Sequence, residues 1–116
     1  MSESIIALIK QSKDLENQGD MAQAWKCLRQ AQELALDEKD AHTQAQVLLQ
    51  MAHLEYFLSH YPQAVEYAQE ALGLARPETP EIVRAWLILG NCASLNDYAE
   101  AEACYRKAVD LARQFG

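Results

Sequence analysis

Gly19-Asp20-Met21-Ala22-Gln23-Ala24 is echoed twice further along the chain, by His60-Tyr61-Pro62-Gln63-Ala64 and by Asn96-Asp97-Tyr98-Ala99-Glu100-Ala101. After the last alanine of each copy, a second alanine follows seven residues on and a leucine three beyond it: Ala24, Ala31 and Leu34; Ala64, Ala71 and Leu74; Ala101, Ala108 and Leu111. The interval from Ala24 to Ala64 is 40 residues, and that from Ala64 to Ala101 is 37. A period of this size marks stacked helical hairpins, each unable to bury its apolar face alone. Such an array is a surface for holding something and seldom a catalyst.

Working outward from the repeats, six helices can be read. The first spans about Ser4 to Gln18, with Ile5, Leu8, Ile9 and Leu15 on one stripe. Gly19 suits a left-handed stop and Asp20 the next N-cap. The second helix runs from about Met21 to Leu36, before a polar turn at Asp37–Asp40. The third covers about Ala41 to Ser59, its stripe being Ala45, Leu48, Leu49, Ala52 and Tyr56. The fourth starts at His60-Tyr61-Pro62 and ends at Arg76-Pro77. Thr79-Pro80-Glu81 opens the fifth with a capping Thr, a proline at the first helical position and an acid at the positive helix end. The sixth follows Asn96-Asp97 and runs to about Gln114. No strand-like alternation competes. Small residues recur because closely packed helices need them where their ridges cross. Ser12, Ala52 and Gly90 serve in the first helix of each pair, and the repeated alanines in the second.

Composition excludes several classes. The 116 residues suit a single domain, and the net charge is −7. The charge is −1 over residues 1–36, −4 over 37–76 and −2 over 77–116. No segment is basic, so neither nucleic acid nor an anionic membrane surface is an expected partner. The acidity chiefly favours solubility. No apolar run is long enough to span a membrane, and Ser4–Ile9 is too short and too poorly flanked for a signal peptide. A cytoplasmic address is the default. The three cysteines, Cys27, Cys92 and Cys104, have no zinc-like or paired spacing. Cys27 and Cys104 hold the same repeat position, which suits a shared packing slot for a small apolar side chain.

Trp86-(x2)-Leu89-Gly90 followed by Asp97-Tyr98-(x2)-Ala101-(x3)-Tyr105-(x2)-Ala108 resembles a tetratricopeptide repeat. So do Leu48-(x2)-Met51-Ala52 with Tyr61-(x2)-Ala64-(x6)-Ala71, and more distantly Leu8 and Ser12 with Gly19-Asp20-(x3)-Ala24-(x6)-Ala31. The resemblance covers essentially the whole chain. It implies an all-α fold, a right-handed superhelix of three hairpins at about 4–37, 41–76 and 79–114 in one domain over 1–116. The intervals exceed the usual 34 residues, as in the long-helix variety of bacterial signalling regulators and scaffolds. Glu55 stands where an aromatic is common, and the third hairpin turn is a residue short.

The resemblance further implies a protein-binding scaffold whose first helices line a concave groove. By position the groove candidates are Ile9, Lys13, Glu16 and Asn17; Leu49, Gln50, His53, Tyr56 and Phe57; and Arg84, Leu87, Ile88, Asn91 and Leu95. Ile9, Leu49 and Leu87 are equivalent and apolar, either facing the groove or packing between repeats. Lys13, His53 and Asn91 are equivalent and polar. An apolar strip beside hydrogen-bonding groups suits a peptide. Some members of this family grip a C-terminal carboxylate. At the matching positions Ile9, Lys13, Gln50, Arg84 and Ile88, only Arg84 keeps the expected character, so no such clamp is expected.

Nothing points to an enzyme, a cofactor or a metal. His42, His53 and His60 sit at unrelated helical phases, and Gly19 and Gly90 form no phosphate loop. His53 and Cys92 on neighbouring first helices are the nearest approach to a reactive pair. Two alternatives to groove binding stand. One is self-assembly through the last helix, by Val109, Leu111, Ala112 and Phe115, because no further polar helix covers the last hairpin; on this reading the chain is an oligomer or a piece of a longer regulator. The other is a small secretion-type chaperone.

Overall fold

The computed structural model describes residues 3–115, with the Phe115 side chain outside the described set. It holds six α-helices: α1 (Glu3–Asn17), α2 (Met21–Glu38), α3 (Ala41–Phe57), α4 (Tyr61–Leu74), α5 (Pro80–Ala93) and α6 (Tyr98–Phe115). They pair as three hairpins, α1 on α2, α3 on α4 and α5 on α6. Successive hairpins join through α2 on α3 and α4 on α5. The first helices also touch directly, α1 on α3 and α3 on α5, so they form one continuous inner row. Among the described residues, the backbones of α2, α4 and α6 make no such direct approach to one another. The two rows therefore diverge, which curves the stack.

The repeated alanines are the axis of the packing. Ala24, Ala31, Ala64, Ala71, Ala101 and Ala108 are all buried. A methyl group at these positions lets neighbouring helix axes approach, while Leu28, Leu48, Leu49, Met51 and Leu54 fill the spaces between them. The central α3 is flanked on all sides but one, and even its Thr43, Gln50 and Glu55 are buried.

Three helix ends differ from the sequence expectation. α2 continues through Asp37 and Glu38 and stops at Lys39, which is left-handed at φ 57° and returns its N–H to the Leu36 carbonyl. Acidic residues tolerate a helix interior, so polarity alone did not mark the end. α3 stops at Phe57, with Ser59 left-handed at φ 64°. α4 stops at Leu74 because Ala75 is already extended, and Arg76 is held out of the helical region by Pro77. Thr79 does occupy the N-cap of α5 with an extended backbone, but its Oγ1 donates to the Arg76 carbonyl at 2.8 Å instead of capping the helix.

Candidate functional site

Helix periodicity brings residues from all three inner helices to one recess. Lys13, Glu16 and Asn17 lie on one face of α1, and Gln50, His53 and Phe57 on one face of α3. With Arg84 of α5 they line a hollow of about 280 Å³. A second hollow of about 340 Å³ adjoins it, lined by Ile6, Ile9, Lys10, Lys13, Gln46, Gln50, Glu81 and Arg84. Lys13, Gln50 and Arg84 belong to both, so the two hollows are one trough along the inner face.

The polar groups of the trough follow a repeated arrangement. Gln50 Nε2 donates to Glu16 Oε2 at 3.0 Å, and His53 Nδ1 lies 3.3 Å from Glu16 Oε1. One repeat on, Gln46 Nε2 donates to Glu81 Oε1 at 2.9 Å, and His42 Nε2 lies 3.6 Å from Glu81 Oε2. In each case a Gln and a His from α3 hold one carboxylate of a neighbouring inner helix. Burial pushes the Glu81 carboxyl up, but the Gln46 hydrogen bond, a backbone N–H and His42 outweigh it, so the group sits below the usual carboxylate range. His42 Nδ1 in turn accepts from the Arg76 N–H at 3.1 Å, which ties the α4–α5 loop to α3.

The cations are placed differently. Among the described residues, no carboxylate lies within ion-pair distance of Lys10, Lys13 or Arg84. The trough thus satisfies its acids internally, while the cations that line it have no such partner among the described residues. Phe57 supplies an apolar wall and is 64% exposed, its ring 6.2 Å from that of His53.

The trough gathers Lys13, Asn17, Gln50, His53, Phe57 and Arg84 from the sequence candidates, together with Ile9 and Glu16. Others go elsewhere. Leu49 is wholly buried and packs between repeats, because α3 has neighbours on both flanks. Ile88 is buried as well. Tyr56 turns to Tyr61, with ring centroids 5.6 Å apart, and lines neither hollow. Asn91 Oδ1 accepts from the Tyr105 hydroxyl at 2.5 Å, which commits it to α6. Leu87 and Leu95 are exposed but outside the trough. Ile6, Lys10, Gln46 and Glu81 were missed. The signal was present in the repeat register, since Ile6, Gln46 and Arg84 are equivalent positions and only Arg84 had been singled out.

His53 and Cys92 do not meet. His53 lines the trough, whereas Cys92 lines a separate crevice with residues of α4 and α6. Burial pushes the Cys92 and Cys104 thiols up, and the Glu100 carboxylate adds to this at Cys104. Both thiols are therefore held in the protonated, weakly nucleophilic form at neutral pH.

On α6, Val109 and Ala112 are exposed, but Leu111 is half-buried and points about 200° around the helix from Val109. The Phe115 side chain lies outside the described residues. The outer face of α6 is instead built from Tyr98, Tyr105, Val109 and Arg113, with a Glu102–Arg106 ion pair at 2.6 Å. At the counterpart positions, α4 carries Val65 and Gln69.

A stack of three helical hairpins with a polar trough on its inner row defines a helical-repeat scaffold. A family model of the tetratricopeptide repeat matches residues 49–114, more than half of the chain. The chain belongs to the tetratricopeptide repeat family, and its hairpins form the right-handed superhelix of that family. Repeats of this kind mediate protein–protein interactions and are typically non-catalytic. No curated protein matches the chain. No helix among the described residues is long and apolar enough to cross a membrane.

Proposed function

We propose that the chain is a cytoplasmic scaffold that holds a peptide segment of a partner protein in the inner trough, and that the segment presents an acidic side chain to Lys13 and Arg84. One observation carries this reading: Glu16 and Glu81 are engaged by the protein's own Gln and His side chains, while Lys10, Lys13 and Arg84 have no carboxylate partner among the described residues. A cation without a partner beside a recess is available to an incoming carboxylate, which it would steer and orient. Phe57 offers an adjoining apolar contact for a neighbouring side chain of the segment. With Ile9 lining the trough in place of a donor, the trough suits an acidic side chain within a segment better than a free chain terminus.

The experiment is a lysate pull-down with the wild type beside the double variant Phe57→Ala, Arg84→Glu, followed by direct titration of each retained protein. Binding of a purified partner that weakens by at least about tenfold in the double variant is the expected result. If both proteins retain the same set with equal affinity, the trough is not the binding surface.

A further inference from the structure

The two junctions between hairpins are built on the same register but closed differently. Counting from the anchor alanines, Trp25 on α2 is equivalent to Val65 on α4, and Tyr67 on α4 is equivalent to Cys104 on α6. At the first junction the Trp25 and Tyr67 rings meet across the gap between α2 and α4, with centroids 6.1 Å apart. Both rings pack against the core cluster in which Leu48, Met51 and Leu54 are buried. At the second junction the equivalent pair is Val65 and Cys104, too small to meet. There Trp86 and Leu89, the counterparts of Leu48 and Met51, are only half-buried. The space left is a crevice of about 720 Å³ between α4 and α6, floored by α5. Its α5 lining, Trp86, Leu89, Cys92 and Ala93, is centred about 150° around that helix from Arg84, and so the crevice opens away from the trough.

The crevice has a chemical character of its own. Val65, Leu72, Trp86, Leu89 and the protonated thiols make its walls apolar. Its rim carries Asp97 and Glu100, and no cationic side chain among the described residues lines it. Asp97 Oδ1 accepts the Glu100 N–H at 3.1 Å, whereas the Glu100 carboxylate is exposed on the first turn of α6. The lining runs along α4 from Tyr61 to Leu72, about 16 Å of helix, longer than one aromatic ring.

We infer that this crevice is a second docking site, and that its occupant is a segment of a partner protein bearing large aromatic side chains next to basic ones. The first junction identifies the ring class, because there the same slot is filled by an indole and a phenol from the chain itself. Trp25 also carries the Arg29 guanidinium 5.7 Å from its ring centre, which shows that an aromatic in this slot accommodates a cation beside it. The acidic rim selects a basic flank by simple charge complementarity. The length of the crevice suits a helical or extended segment with successive anchors better than a single small molecule.

The test uses the intact protein and three probes: a short synthetic peptide bearing tryptophans and lysines, the same peptide with glutamates in place of its lysines, and free tryptamine. Binding is followed by amide chemical shifts. The lysine peptide is expected to move the amides of Val65, Leu72, Leu89 and Cys104 and to bind at least about tenfold more tightly than its glutamate counterpart. The double variant Val65→Trp, Cys104→Tyr fills the slot from within; it should lose this binding and melt at a higher temperature. Glu100→Lys lies on the surface and leaves the core intact, and should reverse the preference between the two peptides. Arg84→Glu should leave crevice binding unchanged, which separates this site from the trough. Equal affinity for both peptides, shifts confined to the inner trough, or tryptamine binding as tightly as the lysine peptide would each overturn the proposal; the last would make the crevice a site for a small aromatic amine.

Discussion

The ring of Tyr105 occupies the space that a side chain at Gly90 would need. A Cβ built on Gly90 would lie 2.7 Å from Tyr105 Cε1 and 2.8 Å from Cδ1. The ring has little freedom to retreat, because its hydroxyl is tied to Asn91 Oδ1 one residue further along α5. Gly90 is the third member of the small-residue series that began with Ser12 and Ala52, and it is the smallest because its neighbour is the largest. Gly90→Ala should therefore destabilise the fold by about 1–3 kcal/mol through overpacking. In a Tyr105→Leu background the same substitution should become neutral or stabilising, since alanine is otherwise the better helix former. Chemical denaturation of the four proteins measures the coupling, and simple additivity would disprove this account.

Gly19 and Ser59 close the first two hairpin turns in the same way. Gly19 donates to the Glu16 carbonyl at 2.9 Å and Asp20 to Leu15 at 2.9 Å; Ser59 donates to Tyr56 at 3.0 Å and His60 to Glu55 at 2.8 Å. Both residues are left-handed, at φ 84° and φ 64°. Only the first has the residue that adopts this region without strain. Ser59→Gly should stabilise the protein by about 0.5–1 kcal/mol, the relief of strain exceeding the added entropy of the unfolded chain. The contact from Tyr61 to Ser59 Oγ is 3.4 Å and exposed, so its loss subtracts little. Gly19→Ala should move the melting temperature the opposite way.

That pair also shows what was legible in the sequence and what was not. The anchor alanines recur with fixed spacing because each must sit where two helices cross, so the hairpins and the family could be read directly. The turn at Gly19 was equally readable, since glycine advertises a left-handed residue. The turns at Lys39 and Ser59 were not, because nothing in a lysine or a serine announces that conformation. The trough was half-legible for a related reason. Lys13, Gln50, His53 and Arg84 follow from the family resemblance carried over by repeat position. Whether Leu49 faces outward depends on α3 being packed on both flanks, and that Asn91 is claimed by Tyr105 depends on a contact from another helix.

Asp40 caps α3 and gives the fold a defined dependence on acid. Its carboxylate accepts the Thr43 hydroxyl at 2.9 Å and the backbone N–H groups of His42 and Thr43. The Thr43 hydrogen bonds hold its pKa below the usual 3.8. A group whose pKa is depressed by folding adds stability above its unfolded pKa and loses it as the pH falls through the folded value. The cap should thus contribute fully at neutral pH and fade below about pH 4. Asp40→Asn should keep most of the stability at neutral pH, since asparagine caps helices comparably, and should remove this part of the acid dependence. Asp40→Ala should lower the melting temperature at neutral pH and narrow its difference from the wild type as the pH falls. Thermal melts of the three proteins between pH 7 and pH 3 decide the matter.

The aromatic seal at the first junction makes the complementary prediction. Trp25 and Tyr67 are each only half-buried, yet they pack against the core cluster that holds Leu48, Met51 and Leu54, and burial pushes the Tyr67 hydroxyl pKa up. Trp25→Val copies onto the first junction the residue found at the second, as does Tyr67→Cys. Each should cost about 1–3 kcal/mol, less than truncating a fully buried aromatic, because part of each ring already faces water. The second substitution should cost less than the first whichever is made first, since breaking the pair forfeits the ring contact only once. The double variant should also expose enough apolar surface on α3 to bind a hydrophobic dye more strongly than the wild type. Additive losses with no increase in dye binding would mean that the two rings act independently, and that the open second junction owes its shape to something other than the missing pair.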